Sequence, residues 1–94
     1  MSELLFESIS KFVDSRKKLA NQALECLEPE CDNVMQSNCC DEQKIERLLD
    51  CLLDFCFDEK ILYLYRKLCR YYYEIDVAAT VQYVNYYREM WDER

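Results

Sequence analysis

The absence of glycine is the feature of this sequence that most limits its fold, since none of its 94 residues is a glycine. Glycine is the usual residue where the backbone needs a positive φ, as in tight β-hairpin turns and at the C-terminal caps of helices. A chain without it is poorly suited to hairpins and lacks the glycine-rich loops that bind phosphate groups. We therefore expect an all-α protein with no β-sheet.

Aspartates mark the starts of three expected helices. Asp41, Asp58 and Asp76 are 17 and 18 residues apart, and each precedes an amphipathic segment. An N-cap aspartate accepts a hydrogen bond from a backbone N–H that has no partner within the helix, and its charge suits that end of the helix dipole. Apolar residues also recur at three- and four-residue steps before the first of them. The sequence predicts a single four-helix bundle-like domain over 1–94, with helices at about 3–27, 42–56, 59–74 and 77–92.

The segment 28–40 is the long connection in this prediction. Pro29 comes just after the expected end of the first helix. Proline inside a helix removes a hydrogen bond and clashes with the preceding turn, so it usually stands at a boundary. We expect residues 28–40 to form a loop with room for one short helical turn.

The chain also has no histidine, the residue that most often serves as a general base and as a metal ligand. We therefore expect no enzymatic activity and no cofactor. The first residues carry acids where a secretory signal carries bases, and no segment approaches the roughly 18 uncharged apolar residues of a membrane span. We expect a cytoplasmic protein that does not bind membranes.

Seven cysteines are many for a chain of this size. Without a secretory signal we expect them to be reduced, with Cys51, Cys56 and Cys69 packed in the core as small apolar residues. The loop cysteines come closest to the spacing of a zinc site, which is built from pairs of nearby thiols. These candidates for a metal-binding or redox module are Cys31, Cys39 and Cys40. The competing interpretation, which we favour, is that they are incidental and that the protein has no metal site.

Acidic residues dominate the first part of the chain, where residues 1–58 hold 13 acids and 6 bases. Five of these acids recur every four residues along the second helix: Glu42, Glu46, Asp50, Asp54 and Asp58. Such a series is most often a solvated helix face. The alternative is an acidic track that mimics a nucleic acid and inhibits a DNA- or RNA-binding protein. The net charge of −7 makes direct binding of nucleic acid by this chain unexpected.

The third and fourth helices hold all eight tyrosines and the tryptophan. On the fourth helix we expect Val77, Val81, Val84 and Trp91 to form the inward stripe. The apolar arc is wider than packing in a small bundle needs, and tyrosine, tryptophan, methionine and arginine are enriched in protein interfaces. The leading hypothesis is a non-enzymatic interaction protein that docks a partner or forms a homodimer through this hairpin. The expected interface residues are Tyr63, Arg66, Arg70, Tyr73, Tyr83, Tyr86, Arg88, Met90 and Trp91.

Overall fold

The computed structural model describes the backbone of residues 2–92 and the side chains of residues 15–92. It contains four helices and, within residues 2–92, no strand, which confirms the predicted all-α four-helix arrangement. The helices are α1 (Ser2–Gln36), α2 (Glu42–Leu53), α3 (Glu59–Tyr73) and α4 (Val77–Trp91).

The three aspartates are N-caps, as the sequence predicts. Asp41 accepts a hydrogen bond from the backbone N–H of Lys44, and Asp76 accepts one from Ala79. Asp58 accepts two, from the backbone N–H groups of Lys60 and Ile61, at 2.9 and 3.3 Å. Each cap therefore satisfies N–H groups that the first helical turn leaves without a carbonyl partner.

Replacing Asp58 by alanine should lower the free energy of unfolding by about 1 kcal/mol, because two N–H groups of α3 lose their acceptor. Urea denaturation monitored by circular dichroism measures the change. Glu89→Ala removes an exposed carboxylate from within α4 and serves as the control. An equal effect of the two substitutions would contradict the capping role of Asp58.

Helix α1 is longer than predicted and contains Pro29 instead of ending before it. The predicted loop 28–40 is wrong, since the connection to α2 covers only residues 37–41. Proline in a helix costs about 3 kcal/mol, but the extension places Cys31 and Val34 in the core, 0% and 1% exposed. Their burial opposes that cost, because a buried valine contributes about 1.5–3 kcal/mol and a buried cysteine adds a smaller apolar contribution.

Asparagine takes the place of glycine where α1 ends. Asn38 has a φ of 54°, the one positive φ among the described residues. The backbone N–H of Cys39 donates to the carbonyl of Val34 at 3.0 Å, and that of Asn38 donates to Met35 at 3.4 Å. These are the two hydrogen bonds of a Schellman motif, in which asparagine is the second choice after glycine.

Helix α3 lies at the centre of the bundle and packs against each of the other three helices. Helix α2 ends at Leu53, three residues earlier than predicted, and turns occupy residues 54–57. The turns let Cys56 pack in the core, with Phe55 and Phe57 half-buried beside it. The largest side chains that are less than 2% exposed form the centre of the core: Cys31, Val34, Ile45, Leu48, Leu49, Leu52, Ile61, Leu68 and Tyr72.

Candidate protein-interaction surface

Helix α4 has two apolar faces, and the one predicted to be buried is exposed. Val77, Val81 and Val84 are 51%, 48% and 41% exposed. Thr80 and Tyr83 are buried instead, at 4% and 6% exposed, and Tyr83 makes hydrogen bonds with Glu46 of α2 and Tyr65 of α3. The prediction of an inward stripe is therefore wrong for the three valines, whereas its fourth member, Trp91, is half-buried against the core. Helix α4 is rotated about its axis relative to the prediction.

Aromatic side chains determine this rotation because they bury more apolar area than valine and have polar atoms that find partners inside. The indole N–H of Trp91 donates to the Leu53 carbonyl at 2.8 Å, and the ring lies edge-on to Phe57 with 5.9 Å between centroids. The Tyr83 hydroxyl donates to the Glu46 carbonyl at 3.4 Å. An inward valine stripe would turn the Tyr83 ring and hydroxyl towards water.

Two of the predicted interface residues therefore belong to the core. Tyr83 is buried, and its backbone carbonyl also accepts a hydrogen bond from the Tyr65 hydroxyl at 2.7 Å. Trp91 is half-buried against the core. Neither ring is available as the centre of a binding surface, which corrects their assignment to the interface.

Three other predicted interface residues, Arg66, Arg70 and Arg88, line one cleft of about 340 Å³ between α3 and α4. All three arginines are exposed. The cleft also includes Val84, which belongs to the exposed valine stripe. The remaining lining residues are Leu62, Tyr65, Cys69, Tyr87 and Asp92. The structure thus joins cations from two helices to one end of the exposed apolar face.

The cleft arginines form no ion pair with any residue that the structure describes. Within that part of the chain the ion pair is Arg47–Glu30, at 3.1 Å, which joins α2 to α1 and involves no residue of the cleft. Acids predominate in the chain as a whole, with a net charge of −7. The cleft is therefore a local cationic site on an acidic protein.

The other predicted interface residues are exposed but do not line this cleft. Tyr63 is 70% exposed, Tyr73 50%, Tyr86 41% and Met90 49%. Tyr86 lies edge-on to the buried Tyr83 ring, with 5.6 Å between centroids. The single surface predicted from the sequence is thus divided among the core, the cleft and separate exposed positions.

The predicted acidic track is partly used inside the protein. The Tyr72 hydroxyl lies 3.0 Å from Glu42 and 2.5 Å from Glu46, so it joins α3 to two acids of α2. Burial, followed by these hydrogen bonds, raises the pKa of Tyr72. Asp58 is the N-cap of α3. Asp50 is exposed, and a hydrogen bond with it follows burial among the causes that raise the pKa of Tyr83. Asp54 is exposed and follows the last residue of α2.

A third carboxylate meets this group from α4. A side-chain hydrogen bond with Asp76 raises the pKa of Glu42. The backbone N–H of Ala79 lowers the pKa of Asp76, with the Glu42 hydrogen bond as the next cause. Glu42, at the start of the track, thus lies near the N-cap of α4 and remains exposed.

The three candidate metal-binding cysteines do not form a cluster. Cys31 is buried, Cys39 is half-buried and Cys40 is exposed. Among the side chains of residues 15–92, no three His, Cys, Asp or Glu residues are placed to hold a metal ion. Burial raises the pKa of Cys31 and of Cys56 to about 12, and that of Cys69 to about 11. Cys51, which we expected in the core, is half-buried.

These differences predict which thiols react. At pH 8, Cys26 and Cys40 should react with a disulfide reagent within seconds to minutes, since both are exposed and the thiolate is the reactive form. Cys31, Cys56 and Cys69 should react only as fast as the protein opens, because burial keeps them protonated. Mass spectrometry of partly labelled protein identifies the modified positions. Fast labelling of Cys31 would contradict its place in the core.

A larger cleft of about 450 Å³ lies where the middle of α1 approaches the start of α3. The Arg16 guanidinium lies 4.2 Å from the centre of the Phe57 ring, which forms part of the wall. Its other lining residues mix cations with acids: Lys17, Asp58, Glu59 and Lys60. Among the described residues, three cations and two acids line this cleft, so its charge is more nearly balanced than that of the cleft between α3 and α4, where three arginines stand against one acid.

No protein-family model matches this chain, and neither does any curated protein or solved structure. Among the described residues, no helix is long and apolar enough to cross a membrane.

Proposed function

We propose that this chain is a non-enzymatic protein-interaction module whose α3–α4 hairpin binds an α-helix of a partner protein. The observation that carries the proposal is the second apolar face of α4, formed by Val77, Val81 and Val84. A helix at the edge of a small bundle needs one apolar stripe for its own core, and the rest of its surface is normally polar. A second stripe indicates another contact.

The spacing of the valines supports a helical partner. They are four and three residues apart, so they lie along one line on the helix surface, about 10 Å long at 1.5 Å per residue. Apolar side chains at this spacing are the contact pattern of packed helices, in which the residues of one helix fit between those of the other. Arg88 follows Val84 after four residues and continues the line into the cationic cleft.

The charge on this face favours a partner over a second copy. A two-fold homodimer places the same patch of both subunits face to face. Arg66 and Arg70 border the patch from α3, so a symmetric dimer would bring like charges together, which opposes binding. A homodimer through this hairpin is the competing form of the proposal, and the experiment below distinguishes it.

The test uses two neighbouring substitutions on α4, both to aspartate. Val81→Asp places a charge in the middle of the valine stripe, whereas Gln82→Asp places the same charge on an exposed polar position next to it. Tagged wild-type protein and both variants are used to capture proteins from cells of the source organism. A captured protein is then purified, and its affinity for all three is measured by calorimetry.

We expect a protein that binds the wild type and Gln82→Asp and binds Val81→Asp at least about thirtyfold more weakly, the loss typical of an interface hot spot. Circular dichroism should show that both variants remain helical. Equal binding by all three proteins would contradict the proposal. If the wild type sedimented as a dimer and Val81→Asp as a monomer, the valine stripe would bind a second copy of this chain instead of a partner helix.

A further inference from the structure

The cleft between α3 and α4 has cations on both walls. Arg66 and Arg70 are one helical turn apart on α3, a separation of about 6 Å along the axis. Arg88 stands on the α4 side of the same cleft. The guanidinium group carries five N–H donors in a planar fork that matches a carboxylate, and it remains charged at any ordinary pH.

The floor of the cleft is apolar and offers few polar groups of its own. Leu62 and Tyr87 are half-buried and Val84 is exposed. Tyr65 lines the cleft with its ring, but its hydroxyl donates to the Tyr83 carbonyl at 2.7 Å and is already used. Burial keeps the Cys69 thiol protonated by raising its pKa to about 11. Polar recognition in the cleft therefore depends on the three guanidinium groups.

Among the residues that the structure describes, Asp92 is the one acid that lines the cleft, against three arginines. None of these arginines has an ion pair within the part of the chain that the structure describes. An anion that enters the cleft thus meets three cations and one described carboxylate, so the cleft carries an excess of positive charge. Because the floor is apolar, the best ligand combines carboxylates with an apolar surface.

We infer that the cleft selects an acidic amphipathic helix, with two carboxylates one turn apart facing Arg66 and Arg70 and a third facing Arg88. This inference rests on the proposed function and specifies the chemistry of the partner. The apolar side chains of that helix contact Val84 and Leu62, and its acidic edge lies along α3. A nucleic acid fits less well, because the cation row is short and the net charge of −7 repels an extended polyanion.

The probe is a fluorescein-labelled helical peptide of about 18 residues, long enough for a stable helix. Leucines form one stripe, and glutamates at steps of four residues border it. A second peptide carries lysine in place of every glutamate, and a single-stranded oligonucleotide of similar charge is the third probe. Fluorescence anisotropy measures the binding of each at about 0.05 and about 0.5 M salt. The higher salt concentration weakens exposed charge contacts, so the difference in affinity reports their contribution.

Two charge reversals on α3 provide the matched variants. Arg70→Glu reverses a cation in the cleft, and Lys67→Glu reverses an exposed cation that does not line it. We expect the glutamate peptide to bind the wild type, to lose roughly tenfold in affinity with Arg70→Glu, and to change less than about twofold with Lys67→Glu. The lysine peptide should bind at least about tenfold more weakly than the glutamate peptide.

Equal binding of the two peptides, with loss of both in Val81→Asp, would overturn the acidic preference and leave the proposed helix-binding function standing. Binding of neither peptide would overturn the inference that the cleft takes an acidic helix, and the capture experiment would then decide the proposed function by itself. Tighter binding of the oligonucleotide than of the glutamate peptide would overturn it in favour of nucleic acid. An equal loss with Lys67→Glu and Arg70→Glu would show a general charge effect and also contradict it.

Discussion

Replacing Tyr83 by alanine is expected to lower the free energy of unfolding by about 3–5 kcal/mol, the usual cost of removing a large buried aromatic side chain. The ring is 6% exposed and packs against Tyr86, with 5.6 Å between their centroids. Alanine would leave a cavity between α4 and α2 and remove the hydroxyl that donates to Glu46. Such a loss is a large part of the roughly 5–15 kcal/mol that stabilises a typical domain.

The control is the same substitution at Tyr63, which is 70% exposed on α3. Tyr63→Ala should change the free energy of unfolding by no more than about 0.5 kcal/mol. Thermal and urea denaturation of both variants measure the difference. If Tyr83→Ala were as stable as Tyr63→Ala, then the Tyr83 ring would lie on the surface, as the sequence pattern alone suggested.

Replacing Val34 by aspartate is expected to be still more damaging, with a loss of about 4 kcal/mol or more. Val34 is 1% exposed, so the new carboxylate would be buried without a partner. The position lies beyond Pro29, in the part of α1 that was predicted to be a loop. A surface loop would tolerate the substitution.

Asn33→Asp places the same residue one position earlier, where the side chain is exposed. We expect its free energy of unfolding to lie within about 0.5 kcal/mol of the wild-type value, as is usual for surface substitutions. Circular dichroism should show that Val34→Asp is largely unfolded at 37 °C. A stable, fully helical Val34→Asp variant would mean that α1 does not dock on the core beyond Pro29.

The helix starts could be predicted because each depends on a local signal. Asp41, Asp58 and Asp76 cap the helices that follow them, and α3 and α4 end within one residue of their predicted positions. The end of α1 could not be predicted in this way. Pro29 is a strong local signal for a helix boundary, but tertiary packing of the residues beyond it overrides that signal. A spacing signal was present, since Leu27, Cys31 and Val34 continue the apolar pattern at steps of four and three residues.

The rotation of α4 depends on long-range contacts that periodicity does not encode. Valines and aromatic residues both recur at helical spacing on this helix, so the pattern alone permits either face to turn inward. The contacts of Tyr83 decide between them: its hydroxyl donates to the Glu46 carbonyl, 37 positions away in the sequence, and its carbonyl accepts from the Tyr65 hydroxyl. The arginines of the cleft were found from the sequence as a basic edge of the hairpin, but the exposed valine stripe was missed because it was assigned to the core.

The exposure of that stripe is the central claim, and solvent paramagnetic relaxation tests it directly. Methyl groups of valine are observed by NMR in dilute protein while a neutral gadolinium chelate is added. The methyl signals of Val77, Val81 and Val84 should broaden strongly, whereas those of Val34, which is 1% exposed, should hardly change. Equal protection of the four valines in a protein that sediments as a monomer would show that the stripe is buried, and it would contradict the surface on which both proposals rest.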